Sequence, residues 1–161
     1  MSSWLLVAHI SVLGYWLGSE LVINSTFKYV SYRGDMPFDE RARLMDHVMH
    51  VDQHVRYALV LQAGLGFMLA ISRGFIPGGD WAFWSVALST VLWLGFVEAV
   101  HRLRHNPTGL VLASIDRASR YVLIALFLAL AFQMIGASWP EPLWLRIKFG
   151  LFAGIIACGV G

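Results

Sequence analysis

Six histidines occur in these 161 residues, and five of them fall at the ends of two neighbouring apolar segments. His47, His50 and His54 open the second segment, while Glu98, His101 and His105 close the third. Glu20 lies late in the first segment and Asp116 early in the fourth. Segments that cross a bilayer in alternating directions bring all of these to one side. An ionisable side chain in a membrane helix is costly to desolvate and so marks function by default. Imidazole together with carboxylate is a donor set for transition metals. The chemistry to expect is that of a metal or haem at one membrane face.

Helical periodicity sorts these residues by face. His47, His50 and His54 stand at i, i+3 and i+7 and form one stripe. Asp46, four residues before His50, is placed to orient its ring from behind, as outer-sphere acceptors do for metal-bound histidines. Asp52 points elsewhere, toward Arg56 at i+4, and reads as half of a local ion pair. Glu98, His101 and His105 share a second stripe, and Glu98-x-x-His101 has the spacing that puts both side chains on one metal in di-iron bundles. His9 shares a face with Glu20 and Asn24 but sits about 16 Å further along the axis, in the outer half. Asp116 with Arg120 is an i,i+4 pair of structural character. Each fragment alone also has an ordinary reading as a solvated helix end or an interface residue.

A haem iron takes one axial ligand per face. Stacked histidines plus carboxylates exceed that need and suit one or two free ions better. Iron fits a mixed nitrogen and oxygen set, and the absence of nearby cysteine argues less for copper(I). The expected function is an integral membrane metalloprotein, redox-active and oxidoreductase-like, acting on a lipid-soluble substrate or quinone. Its metal ligands would come from Glu20, His47, His50, His54, Glu98, His101 and His105. The alternatives are a haem b protein or electron carrier, a copper or other metal-ion transporter, and a non-catalytic subunit of a membrane complex.

The elements that must position these groups follow from composition. The chain is 58% hydrophobic and only 14% charged, with a mean hydropathy of +0.64. About a quarter of the residues of an ordinary soluble domain are charged, so the excess of apolar surface needs lipid. Seven tryptophans and five tyrosines suit interfacial belts. A formal charge of +2, distributed by loop, leaves no basic stripe for nucleic acid. The single cysteine, Cys158, excludes an internal disulfide framework and a cysteine-rich metal site. The N-terminus lacks a basic region, and its first apolar stretch is too long for a cleavable leader, so it is expected to be retained.

Roughly 20 apolar residues span a bilayer core. The pattern predicts one domain over 1–161, an all-α polytopic bundle of about five spans. The first covers Trp4 to Val30, and a polar connector follows over 31–40. A second span starts amphipathically at Phe38 and runs to Ile71; residues 72–80 form a loop. The third spans Trp81 to about Leu103 and is ended by Asn106-Pro107-Thr108-Gly109. The fourth covers about Leu112 to Ile135. After a connector at 138–142, the fifth runs from Leu143 to Gly161, where the chain either stops flush with the interface or continues. Lys28, Arg33, Arg41, Arg43, Arg102, Arg104, Arg117 and Arg120 fall on one side, against Arg73, Arg146 and Lys148 on the other. That bias predicts a multi-pass topology with the N-terminus outside and the histidine cluster on the cytoplasmic side.

Two short motifs carry a family resemblance. The first helix reads His9-x6-Trp16-Leu17-Gly18, and the fifth opens Trp144-Leu145-Arg146-Ile147-Lys148. They resemble the opening helix of the CopD copper-resistance family and of the HemJ protoporphyrinogen oxidase group, and a Trp-Leu-x-x-Lys helix start in HemJ-like proteins. The resemblance covers about a quarter of the chain. It implies a bacterial inner-membrane helical bundle concerned with copper or haem b. It also implies His9 as a cofactor ligand with Lys148 near it on the outer side. Lys148 alone reads as a snorkelling anchor. The inner histidine cluster has no counterpart in those families.

Overall fold

The first helix is read most directly from which of its residues are covered. Leu5, His9, Val12, Trp16, Ser19, Ile23, Thr26 and Val30 are its half-buried or buried positions along one line. Their steps alternate four, three, four, three, which is the 3.5-residue seam of a left-handed helix pair. Most other large side chains of the helix, Trp4, Leu6, Val7, Ile10, Leu13, Leu17, Leu21, Val22 and Phe27 among them, face outward. Such a helix needs a lipid solvent on most of its circumference.

The computed structural model describes residues 2–104, 106–135 and 140–159. It is an all-α helical bundle, with no strand among the described residues. In order the helices are α1 (Ser2–Tyr32), α2 (Phe38–Ser72), α3 (Gly79–Leu103), α4 (Pro107–Ala131) and α5 (Leu143–Cys158). Three of them, α1, α2 and α3, are long and apolar enough to cross a bilayer. At 1.5 Å per residue the 16 residues of α5 make about 24 Å, short of the roughly 30 Å of a hydrocarbon core. Helix α4 has the length but carries Asp116, Arg117 and Arg120 near its middle.

Two compact units make up the chain: Met1–Leu69 with Val86–Leu94, and Ala70–Ser85 with Gly95–Gly161. In the first, α1 pairs with α2 antiparallel. Tyr15 meets His54 and His9 meets Gln62, so numbers rise on one helix as they fall on the other. Helix α2 starts behind Pro37 with Asp39 and Glu40 in its first turn, where the helix dipole favours negative charge. Val48, Val55 and Ala58 form its buried line, Ala58 being fully covered.

In the second unit α4 packs on α5. Phe127 lies 5.8 Å from Phe149 and 5.0 Å from Phe152, centroid to centroid, a tilted aromatic cluster of the preferred kind. Arg120 donates to the Asp116 carboxylate at 2.6 Å and to the Gly159 carbonyl at 2.8 Å, tying α4 to the end of α5. Asp116 thus has the structural role its spacing suggests. At the other end Arg146 donates to the Ala131 carbonyl at 2.9 Å, satisfying an orphan acceptor of α4.

Helix α4 begins five residues before the expected Leu112 and ends four before Ile135. Pro107 occupies its first turn, where a missing N–H costs nothing. Its last turn closes by bonds from Met134 N to Ala129 O at 2.8 Å and from Gln133 N to Leu130 O at 3.2 Å. Helix α2 closes in the same way, Phe75 N to Ala70 O at 2.9 Å and Gly74 N to Ile71 O at 3.0 Å. Both are Schellman caps, whose turning residue adopts the left-handed conformation: Gly74 in α2 and Gln133 in α4. Gly74 does so without a Cβ penalty, whereas Gln133 carries a side chain there and uses its amide to donate to Pro140 O at 3.1 Å.

Candidate functional site

The first unit brings polar groups of α1 and α2 together at two depths. Near the N-terminal end of α1 His9 lies on the seam, its Nε2 3.1 Å from the Gln62 amide nitrogen. A Cβ added at Gly66 would stand 3.3 Å from His9 Cε1, so a glycine on the next turn of α2 makes room for the ring. Gln62 Oε1 and Trp16 Nε1 are buried without a hydrogen-bond partner among the described residues. His9 is therefore built into the helix contact rather than presented from it.

About six residues further along α1, Tyr15 hydroxyl and His54 Nδ1 lie 2.5 Å apart. The two rings meet edge to face at 6.0 Å and 88°, and Tyr57 meets His54 in the same way at 6.2 Å and 89°. His54 is exposed, yet one hydrogen bond and two aromatic edges fix its ring. One turn earlier His50, with its side chain 57% exposed, turns Nδ1 to the main-chain carbonyl of Asp46 at 2.9 Å. A carbonyl only accepts, so Nδ1 carries the hydrogen and the lone pair lies on Nε2. The Asp46 carboxylate stays at 3.7 Å. The residue expected behind His50 is there, but its backbone does the orienting.

His47, one turn before His50, is also exposed. Asp52 is bonded to Arg56 at 3.1 Å, the local pair its spacing suggests. Glu20 is half-buried, and the antiparallel register sets it at the height of residue 50. It lies roughly 140° around α1 from Tyr15, on the opposite flank of the seam. In the second unit Glu98 accepts from Arg102 one turn on, and His101 is half-buried beside it on α3. Lys148 is exposed, with its ammonium 5.1 Å from the Trp144 ring centroid; Phe75 meets the same indole edge to face at 5.2 Å. That is the setting of an interfacial anchor. His105 lies outside the described residues.

Among the described residues, no group of three or more His, Cys, Asp or Glu side chains is gathered to hold a metal ion. What α2 does offer is a pair: His50 and His54 at i,i+4, the helical spacing that places two imidazoles on one zinc. Both rings are held through Nδ1 by a group behind them, which is how protein ligands to metals are oriented. Two imidazoles are half of a tetrahedral sphere.

Sequence reasoning missed Tyr15, Gln62 and Gly66. Gln62 had a signal: it is the only amide in the apolar run from Tyr57 to Ile71, and an isolated polar group there needs a partner. Tyr15 had none, because a tyrosine beside Trp16 in an apolar helix also reads as an interfacial residue. No family model matches the chain, and neither a curated protein nor a solved structure matches it.

Proposed function

We propose that this is a multi-pass protein of a bacterial inner membrane, with its N-terminus outside, that binds a transition metal at the inner end of α2. In this reading it works as a redox-active, oxidoreductase-like metalloprotein. His50 and His54 are the principal ligands. His47 and Glu20, in the same unit, are the remaining candidate donors there, and iron is the ion that best suits such a mixed set. The bound metal would supply one-electron chemistry to a lipid-soluble partner such as a quinone. The chain's own part is to hold two imidazoles on one face of α2, at the edge of the apolar segment, with their rings prevented from turning.

The observation that carries the reading is the Nδ1–H of His50 donated to the Asp46 carbonyl, because it holds the ring in the tautomer a metal bound through Nε2 requires. The excess of Lys and Arg on the histidine side supports the orientation, and the resemblance of the first and fifth helices to CopD and HemJ proteins supports the compartment. Elemental analysis and an optical spectrum of one purified preparation test it. Stoichiometric iron without a Soret band is the expected result. A Soret band with equimolar haem would replace the free ion by haem b, and metal-free, colourless protein that takes up no added ion would reject both. For the topology, a Gly34→Cys probe in a Cys158→Ala background should resist external thiol reagents in intact cells; ready labelling would invert it.

A further inference from the structure

Resting on the metal reading of α2, we infer that Tyr15 is a positioning residue for that site. Its hydroxyl, delivered from α1, holds Nδ1 of His54 and can accept from it in the tautomer that binds metal through Nε2, and so sets how tightly the His50–His54 pair holds a divalent transition metal.

His54 is exposed, and an exposed imidazole ordinarily turns freely about its outer bond. Here Tyr15 and Tyr57 both meet the ring at near-perpendicular angles, and the Tyr15 hydroxyl reaches Nδ1. The residues are 39 apart in sequence, so the contact belongs to the helix pair and not to the local turn.

A phenol can serve either tautomer. It donates to Nδ1 when Nε2 carries the hydrogen, and it accepts from Nδ1–H when the lone pair is on Nε2. A metal on Nε2 demands the second arrangement. The ring hydrogen is then on Nδ1, the phenol oxygen accepts it, and the phenol hydrogen turns to solvent; no proton is gained or lost by the pair. His50 already has the corresponding arrangement, with a carbonyl in place of the phenol. A carbonyl fixes one tautomer permanently, whereas a hydroxyl permits both. His54 is thus the adjustable ligand, and its adjustment is made from another helix. A change in the pairing of α1 and α2 would alter metal affinity without touching either ligand.

The experiment titrates the purified full chain in lipid nanodiscs with zinc against a chromophoric chelator. Wild type, Tyr15→Phe, His50→Ala and His54→Ala are compared, with helical content as the control for folding. Tyr15→Phe keeps the ring edge and removes only the hydroxyl. It should weaken zinc binding about 10- to 100-fold, the usual effect of losing an outer-sphere partner, and each histidine variant should lose at least as much. Nitrogen-15 histidine spectra of the zinc-bound wild type supply a second measure, independent of any variant: the His54 Nδ1–H should exchange slowly with water. If Tyr15→Phe binds like wild type while His54→Ala does not, or if that Nδ1–H exchanges freely, Tyr15 does not position the ligand and the metal reading survives. If both histidine variants bind zinc like wild type, the metal reading itself falls.

Discussion

Two faces of α2 hold histidine partners in opposite ways. Toward α1, Gly66 leaves space for the His9 ring and Gln62 bonds it, so the imidazole fills the contact as a packing group with a polar handle. Roughly a quarter-turn around the same helix, His47, His50 and His54 stand outward, and the groups behind His50 and His54 hold their Nδ1 atoms. The same side chain is glue on one face and a presented base on the other. Burial alone would have ranked His9 above His47, His50 and His54 as a functional residue. What separates the two cases is which ring atom the neighbours occupy and whether the remainder of the ring faces protein or open surface.

If that division is right, stability and metal binding should come apart when the faces are altered separately. The largest effect is expected from Gly66→Leu, which pushes a branched side chain into the His9 ring. Overpacking of this kind costs about 1–3 kcal/mol, read as a lower midpoint in denaturant-induced unfolding, with zinc affinity of the folded fraction unchanged. His9→Ala should follow at about 2 kcal/mol, since it leaves a cavity and removes the partner of the Gln62 amide; normal stability would move His9 to the functional side of the comparison.

On the outward face the pattern reverses. His50→Ala should weaken zinc binding by at least tenfold, about 1.4 kcal/mol, while shifting stability by less than about 0.5 kcal/mol, as surface substitutions do. The smallest effect is the sharpest test. Asp46→Asn should leave zinc affinity within about twofold, because the acceptor for His50 is the main-chain carbonyl, a group the substitution does not remove. A large loss would mean that the carboxylate, at 3.7 Å here, moves in to take its place.

Much of the fold was legible because it rests on apolar run length and turn residues. The limits of α2 and α3 and the start of α5 lie within a few residues of the pattern, and the expected end of α5 at Gly161 lies outside the described residues. The limits of α4 moved at both ends because Pro107 starts a helix as readily as it ends one, and because Gln133 turns left-handed, a conformation its side chain disfavours. The site was legible only within single helices. Spacing put His47, His50 and His54 on one stripe and paired Asp52 with Arg56 and Asp116 with Arg120. It could not tell which side of the α2 stripe faces α1, since apolar periodicity fades in a helix whose surroundings are apolar nearly all round. The pairs Tyr15 with His54 and His9 with Gln62 depend on the register of two helices, and no residue spacing within either one encodes it.

The length of α2 has a consequence for supply. Its 35 residues extend about 52 Å, some 20 Å beyond a hydrocarbon core of roughly 30 Å. In the proposed topology the excess would fall in its charged first half, where the histidine row stands. An ion arriving at that row would come from the aqueous phase and shed its hydration shell in a zone still rich in water. Loading and removal would then follow the chelating capacity of the adjoining compartment, and the lipid barrier would never have to be crossed.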